Sequence, residues 1–259
     1  MGVTLMTRDR EKTLWAPSVI GADGATSLVA KALQKSISQK PKQMLISGRS
    51  YMGGVSGLSD TIEIHFLPEI YPGYLWIFPT SKTSANVGVG LDRALLKKRN
   101  LTLSELFAQA LKSPKVAHRF EHLNEVSAFK AWQIPVHYAP QRVVEKGNVF
   151  LVGDAAGIVD IFSGEGIGNA LKSGYLVAQT LLKNAPEGTY ATALQKEMRR
   201  ELQLSRAVYT ITRKMPWFFN GVVALCARRP RLLQWLLDVA MDEPRRGELL
   251  NPVNYIKNF

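Results

Sequence analysis

Two hydrophobic periodicities divide the chain. Between residues 44 and 91 apolar positions come in short runs, at 44–46, at 61–66 with strict alternation, at 73–78 and at 86–89. Turn residues at Gly53-Gly54, Gly57, Pro72-Gly73 and Pro79-Thr80-Ser81 separate these runs, which predicts an antiparallel sheet with one face covered and one face free. Residues 92–124 then turn helical: Leu103, Leu106, Phe107, Ala110 and Leu111 recur at helical spacing behind a Thr102/Glu105 capping box, and Ser113-Pro114 predicts the start of a second short helix. Residues 127–135 and 141–144 read as extended. Beyond residue 182 three helices are predicted, at 189–213, 217–227 and 230–241, with Pro216 and Pro230 as natural starts.

Two segments break this order. Residues 3–7 and 13–15 flank a charged turn and predict a hairpin; residues 18–20 predict a buried strand ended by Gly21-Ala22-Asp23-Gly24, and residues 25–34 a helix with Leu28, Val29, Ala32 and Leu33 inside. Residues 148–152 predict a second buried strand, followed by a loop holding Gly153, Gly157, Gly164, Gly166 and Gly168 and by a helix with apolar positions at Ala170, Leu171, Gly174, Tyr175, Val177 and Ala178. Such a loop lets the backbone approach a ligand, and its N–H groups, backed by the positive end of the helix, suit an anionic or electron-rich edge. Asp154, at the carboxyl end of a strand, can accept from sugar-like hydroxyls. A tight strand-to-helix turn without a ligand produces the same glycines.

The motifs themselves are more specific. G-D-A-A-G at 153–157 followed by G-E-G-I at 164–167 resembles the second flavin-binding motif of FAD-dependent reductases and monooxygenases with the glutathione-reductase-like fold. G-A-D-G-A-T-S at 21–27 resembles the other signature of that class, and the two stand in the family's order. P-G-Y-L-W-I-F-P at 72–79, followed by N-V-G-V-G at 86–90, resembles the Y-x-W-x-F-P segment of geranylgeranyl reductases, which saturate double bonds of isoprenoid chains. Period two puts Tyr74, Trp76 and Phe78 on one face, an aromatic wall suited to a polyprenyl chain near a flavin; an ordinary hydrophobic sheet face has the same alternation.

The resemblance implies an α/β fold: a glutathione-reductase-like FAD domain at 1–43 and 142–185, N-terminally incomplete, enclosing an α+β substrate domain of antiparallel sheet and helices at 44–141, with a helical region at 186–259. It implies FAD contacts from Asp23, Gly24, Gly153, Asp154, Ala155, Gly157, Gly164, Glu165, Gly166 and Ile167, and substrate contacts from Tyr74, Trp76, Phe78 and Pro79. Backbone N–H groups at 165–168 are expected to face reduced flavin. The activity implied is FAD-dependent reduction of carbon–carbon double bonds in a geranylgeranyl-type lipid, with NAD(P)H or another reductant as electron source. No side chain presents itself as the proton donor. Asp160-Ile161 stands where the family often has Asn-Pro, which leaves the path of the loop open. The family's opening G-x-G-x-x-G does not occur in this sequence, so the chain alone is expected not to retain FAD. Two alternatives stay open: a flavin-dependent monooxygenase or halogenase, and a flavin-free remnant that binds lipid without turnover.

Composition narrows the setting. A hydrophobic content of 46% and a charged content of 21% are those of a folded globular protein. Cys226 is the single cysteine, so no internal disulfide forms, and a reducing, cytoplasmic home with a packing role for this thiol is expected. The longest uncharged run, residues 215–227, is short of the roughly 20 residues a membrane span needs. Net charge is +12, and residues 181–259 hold 13 basic against 7 acidic side chains. That excess beside Trp217, Phe218, Phe219 and Trp235 suits a peripheral, anionic membrane surface, and solvated arginines above a buried helix face suit it equally. No zinc-finger spacing or ribonucleoprotein motif supports nucleic acid, and His65, His118, His122 and His137 lack metal-ligand spacing.

Overall fold

A computed structural model describes residues 2–6, 10–34, 44–136, 143–241, 248 and 253–254. The chain divides into two compact units, Met1–Arg199 and Arg200–Phe259. The first opens with the expected antiparallel hairpin of β1 (Gly2–Met6) and β2 (Glu11–Trp15). β3 (Val19–Gly21) follows, then a 3-10 turn at Gly24–Thr26 and α1 (Leu28–Gln34). Two expectations are corrected here. β3 is not a buried strand, because it has a described partner on one side only and leaves Ile20 44% exposed. The helix begins at Leu28 rather than residue 25, because the Asp23 carboxylate accepts from the N–H groups of Leu28 (2.7 Å) and Val29 (3.3 Å), and Ser27 Oγ from Ala30 N–H (2.8 Å). Val29 packs over Gly21, and Ala30 and Leu33 face inward, whereas Leu28 and Ala32 are exposed.

The larger sheet comprises β4 (Met44–Gly53), β5 (Glu63–His65), β6 (Tyr74–Pro79) and β7 (Ser84–Asp92), completed after two helices by β8 (Glu125–Val126) and β9 (Lys130–Pro135). The order is β5-β6-β7-β4-β8, with β9 also pairing β4, and every pairing is antiparallel. Strand alternation sends Leu75, Ile77, Val87 and Val89 into the core, where α3 (Leu103–Leu111) lays Leu106, Phe107 and Ala110 against them. The helix before it, α2 (Arg93–Lys98), is capped by Asp92, and α3 by the predicted box: Thr102 N–H donates to Glu105 (2.7 Å) and Glu105 N–H to Thr102 Oγ1 (3.2 Å). Ser113-Pro114 starts no helix; Val116 and Ala117 bond back to the Ser113 carbonyl, and a 3-10 turn follows at Ala117–Phe120.

β10 (Glu145–Lys146) and β11 (Val149–Leu151) form the second, smaller sheet with β3. β11 runs parallel to β3 with Leu151 opposite Gly21, so both strands deliver their carboxyl ends to the same edge. Beyond that edge lie α4 (Gly153–Ala156) and α5 (Ile167–Leu182), then α6 (Thr189–Lys214), within which the two units divide. Buried Tyr190 fastens the start of α6 to β11 by donating to the Leu151 carbonyl (2.5 Å) and meeting the Phe150 ring edge-on. α5 buries Asn169, Ser173, Val177 and Thr180, while Ile167, Leu171 and Tyr175 are 78%, 72% and 64% exposed, so its predicted apolar stripe is largely its outer face.

In the second unit α7 (Pro216–Arg228) and α8 (Pro230–Met241) meet through Cys226, Leu232 and Trp235. Cys226 is a packing residue there, and burial pushes its thiol above the usual range. No described helix is long and apolar enough to cross a membrane.

Candidate functional site

The parallel pairing of β3 and β11 brings the two glycine-rich segments together, with α4 packed against the 3-10 turn at Gly24–Thr26. Gly153, Ala155 and Gly157 are buried, and Asp154 is half-buried with Oδ1 3.5 Å from where a Cβ on Gly166 would stand. Burial raises the Asp154 carboxyl above the usual carboxylate range. No hydrogen bond from the described residues reaches it. Asp23 shares the strand-end edge, but its carboxylate is occupied in capping α1. Gly24 has positive φ (73°), and a Cβ there would meet nothing within 4 Å, so the backbone at this turn is open to approach.

The loop from 158 to 166 is organised by residues whose part the sequence reading did not recognise. Buried Asp160 accepts from Phe162 N–H (2.9 Å), Ser163 N–H (2.8 Å) and Ser163 Oγ–H (3.0 Å), and its backbone exchanges bonds with Gly164 and Glu165. The unusual Asp160-Ile161 pair therefore closes the loop on itself. Asn169 Nδ2 donates to the Ile158 carbonyl (2.7 Å), and Ser173 Oγ accepts from Gly153 N–H (3.0 Å), so the polar face of α5 holds both ends of the motif. The available signal was an aspartate three residues ahead of a serine, with polar positions on one stripe of α5. At the helix start, Glu165 N–H goes to Ser163 Oγ (3.2 Å) and Gly168 N–H to the Glu165 carboxylate (2.7 Å). Of the four backbone donors expected at 165–168, those of Gly166 and Ile167 are left without a protein acceptor among the described residues.

The aromatic wall is present and reaches this loop. Tyr74, Trp76 and Phe78 share the half-exposed face of β6, with successive ring centroids 6.1 Å apart. The Tyr74 hydroxyl donates to the Ser163 carbonyl and lies 3.3 Å from where a Gly164 Cβ would be. Burial, and then the Asp160 charge, push its pKa up to about 12, so it remains a donor across the physiological range. Trp76 Nε1 donates to Asn86 Oδ1 (2.9 Å), and its ring covers Gly88, where any Cβ would collide with it. Pro79 falls on the other face by alternation and lies roughly 17 Å along the strand from Tyr74. Among the histidines, His65 pairs with Glu63 (2.9 Å), which Arg119 also grips; His118 and His122 are exposed, and His137 lies outside the described residues.

The family of the FAD binding domain matches residues 2–210. The chain belongs to this family. Among the relatives of this chain, the geranylgeranyl diphosphate reductase of Synechocystis sp. is 33% identical over 183 residues, 70% of this chain and 42% of that protein. Digeranylgeranylglycerophospholipid reductase 2 of Methanothermobacter thermautotrophicus is 28% identical over 207 residues, 78% of this chain and 51% of that protein. The chain spans about half the length of the curated relatives it matches. Among solved structures, a geranylgeranyl bacteriochlorophyll reductase-like protein of Thermoplasma acidophilum matches with a TM-score of 0.66 at 20% identity, covering 81% of this chain and 53% of that one. A flavin-dependent brominase matches with 0.65 at 16% identity, covering 92% and 60%. Both share the α/β FAD-binding fold with this chain. The residues present fit the family's cofactor: a half-buried carboxylate lacking a partner among the described residues suits ligand hydroxyls, two backbone donors at a 16-residue helix suit an electron-rich edge, and the backbone of Gly166 comes close enough to Val159 that a Cβ would stand 3.1 Å from its side chain.

Proposed function

We propose that this chain carries the flavin loop and substrate wall of an FAD-dependent reductase that saturates carbon–carbon double bonds of an isoprenoid lipid, with electrons from NAD(P)H or another reductant. The observation that carries this reading is the hydrogen bond from Tyr74, on the aromatic face, to Ser163, in the flavin loop. It puts an apolar wall able to line a polyprenyl chain directly beside the cofactor loop. The names of the relatives, reductases of geranylgeranyl diphosphate and of digeranylgeranylglycerophospholipid, support the same substrate class. FAD, when bound, supplies hydride transfer. In this reading residues 1–43 and 142–185 serve the cofactor and 44–141 the substrate. Asp154 accepts from cofactor hydroxyls, and the N–H groups of Gly166 and Ile167 face the electron-rich edge of the ring. Tyr74, Trp76 and Phe78 exclude water and align the prenyl chain.

The test supplies the chain with FAD in large excess, dithionite and geranylgeranyl diphosphate, and follows product mass. A gain of hydrogen pairs that is lost in Trp76→Ala supports the reading; unchanged substrate mass with FAD bound rejects it.

The second unit supports a finer reading of partners. Trp217 is 70% exposed, and Arg213, Lys214 and Arg228 are exposed near it in sequence, a combination suited to the interface of an anionic bilayer. Cosedimentation with vesicles containing anionic lipid, declining as salt rises, tests it; equal sedimentation with neutral vesicles rejects it.

A further inference from the structure

The free face of the six-stranded sheet carries two cations, Arg49 and Lys130, that no acid among the described residues pairs with. The register of β4 sets Arg49 opposite Gly88 of β7 on one side and opposite Lys130 of β9 on the other, and Gly88 in turn lies opposite Trp76 of β6. Residues directly opposite one another in a sheet present their side chains to the same face. Trp76, Arg49 and Lys130 therefore form one row across the aromatic face, one row farther from the flavin loop than Tyr74. The Arg49 guanidinium sits 4.6 Å from the centroid of the Tyr51 ring, and no described carboxylate pairs with Arg49 or Lys130. Like charges directly opposite one another in a sheet are destabilising. On the same face Ile64, Tyr51 and Trp132 are uncharged and 49%, 46% and 62% exposed, and Glu125, opposite Gly53, stands four residues along β4 from Arg49, roughly 13 Å away, too far to pair with it.

We infer that Arg49 and Lys130 hold the phosphate or diphosphate headgroup of a prenyl substrate whose hydrocarbon chain lies along Tyr74, Trp76 and Phe78. The inference rests on the isoprenoid reading and adds to it the end of the substrate that is recognised. Stacking on Tyr51 fixes the guanidinium plane and leaves its N–H fork available to an oxyanion, and Lys130 adds a second charge. A bound anion removes the repulsion between the two cations, which an uncharged prenyl alcohol cannot do.

The test is a fluorescence titration of the full chain at low salt with geranyl diphosphate, geraniol and inorganic diphosphate. Geranyl diphosphate is expected to bind at least about tenfold more tightly than geraniol, and Arg49→Gln and Lys130→Gln each to remove about that factor while leaving geraniol affinity unchanged. Arg49→Lys is expected to retain part of the preference. Equal affinity of the wild-type chain for geranyl diphosphate and geraniol overturns the proposal. So does an Arg49→Gln protein with native circular dichroism that loses both ligands equally. Inorganic diphosphate binding as tightly as geranyl diphosphate, with no geraniol binding, assigns the cations to a free phosphate and overturns the headgroup role. The isoprenoid reading fails separately, if Trp76→Ala leaves the affinity for both prenyl ligands unchanged.

Discussion

Tyr74 donates its hydroxyl hydrogen to the carbonyl of Ser163, 89 residues away in sequence, and so ties the six-stranded sheet to the glycine-rich loop at 158–166. The bond joins β6 to the loop between α4 and α5, which follows a different sheet. Tyr74→Phe leaves the Ser163 carbonyl without this donor at a cost of about 1–2 kcal/mol. A melting temperature lower by roughly 2–6 °C, with unchanged circular dichroism, is expected. An unchanged melting temperature would mean that the contact contributes nothing in solution.

The same bond sets a pH window. The folded pKa of Tyr74, about 12, is raised from an ordinary value of 10.0, so its contribution is fully present below pH 10 and is lost as pH rises through the folded value. The stability difference between wild type and Tyr74→Phe is therefore expected to be flat from pH 6 to 9 and to shrink between about pH 10 and 12. Denaturant melts of both proteins across that range measure it.

If Asp154 accepts from cofactor hydroxyls as proposed, it trades stability for binding. Burial raises its carboxyl, with no compensating hydrogen bond from the described residues, so folding disfavours its charged form. The sign is fixed by linkage: a raised pKa gives stability that is present below the ordinary value of 3.8 and lost as pH rises through the folded value, leaving none at neutrality. Asp154→Asn is expected to raise the melting temperature of the ligand-free chain slightly at pH 7. The same change should weaken FAD binding by about tenfold or more, because a charged acceptor is replaced by a neutral one. Differential scanning fluorimetry and flavin titration on one preparation give both readings; a lower melting temperature would refute the trade.

Asp160 is expected to be the side chain on which the loop most depends. Asp160→Ala removes three acceptor contacts, to Phe162 N–H, Ser163 N–H and Ser163 Oγ–H, and should cost about 2–4 kcal/mol. Faster limited proteolysis within residues 158–166 reports the loosened loop, and wild-type cleavage rates would count against this role.

Local signals made part of this legible. The hairpin, the Thr102/Glu105 box, β11 and α5 follow from spacing that neighbouring residues impose on one another. β4 was visible only at its first residues because Gly48 and Ser50 interrupt its pattern; its ten-residue length comes from pairing with β7 and β9, and Gly48 yields its Cβ space to Phe129 and Leu103. The start of α1 was not legible because the Asp23 carboxylate sets it at Leu28, a choice that depends on a side-chain bond rather than on hydrophobic spacing. The glycine motifs pointed to Asp154 and Gly166 because close backbone approach leaves a compositional mark. Arg49 left none: one arginine in a strand looks like a solvated position until the register sets Lys130 beside it.

The outer face of α5 gives the last prediction. Ile167, Leu171 and Tyr175 recur every fourth residue, and Leu182 lies two turns beyond Tyr175 and is 79% exposed, so the helix presents a continuous apolar stripe to water. Covering a large apolar side chain is worth about 1.5–3 kcal/mol, and several in a row outweigh much of the entropy lost when two surfaces meet. Soluble monomers usually keep such patches small. The chain on its own is therefore expected to self-associate through this stripe at micromolar concentration. Leu171 and Tyr175 lie about one and two turns along α5 from its first residue, Ile167, so the double substitution Leu171→Lys and Tyr175→Lys tests the stripe without changing Gly166 or Asp154. Sedimentation velocity should show the wild-type boundary moving faster as concentration rises, and the double variant should sediment as a monomer with the same circular dichroism. A wild-type chain that stays monomeric throughout would show that these side chains do not self-associate, and equal association of both proteins would place the contact elsewhere on the surface.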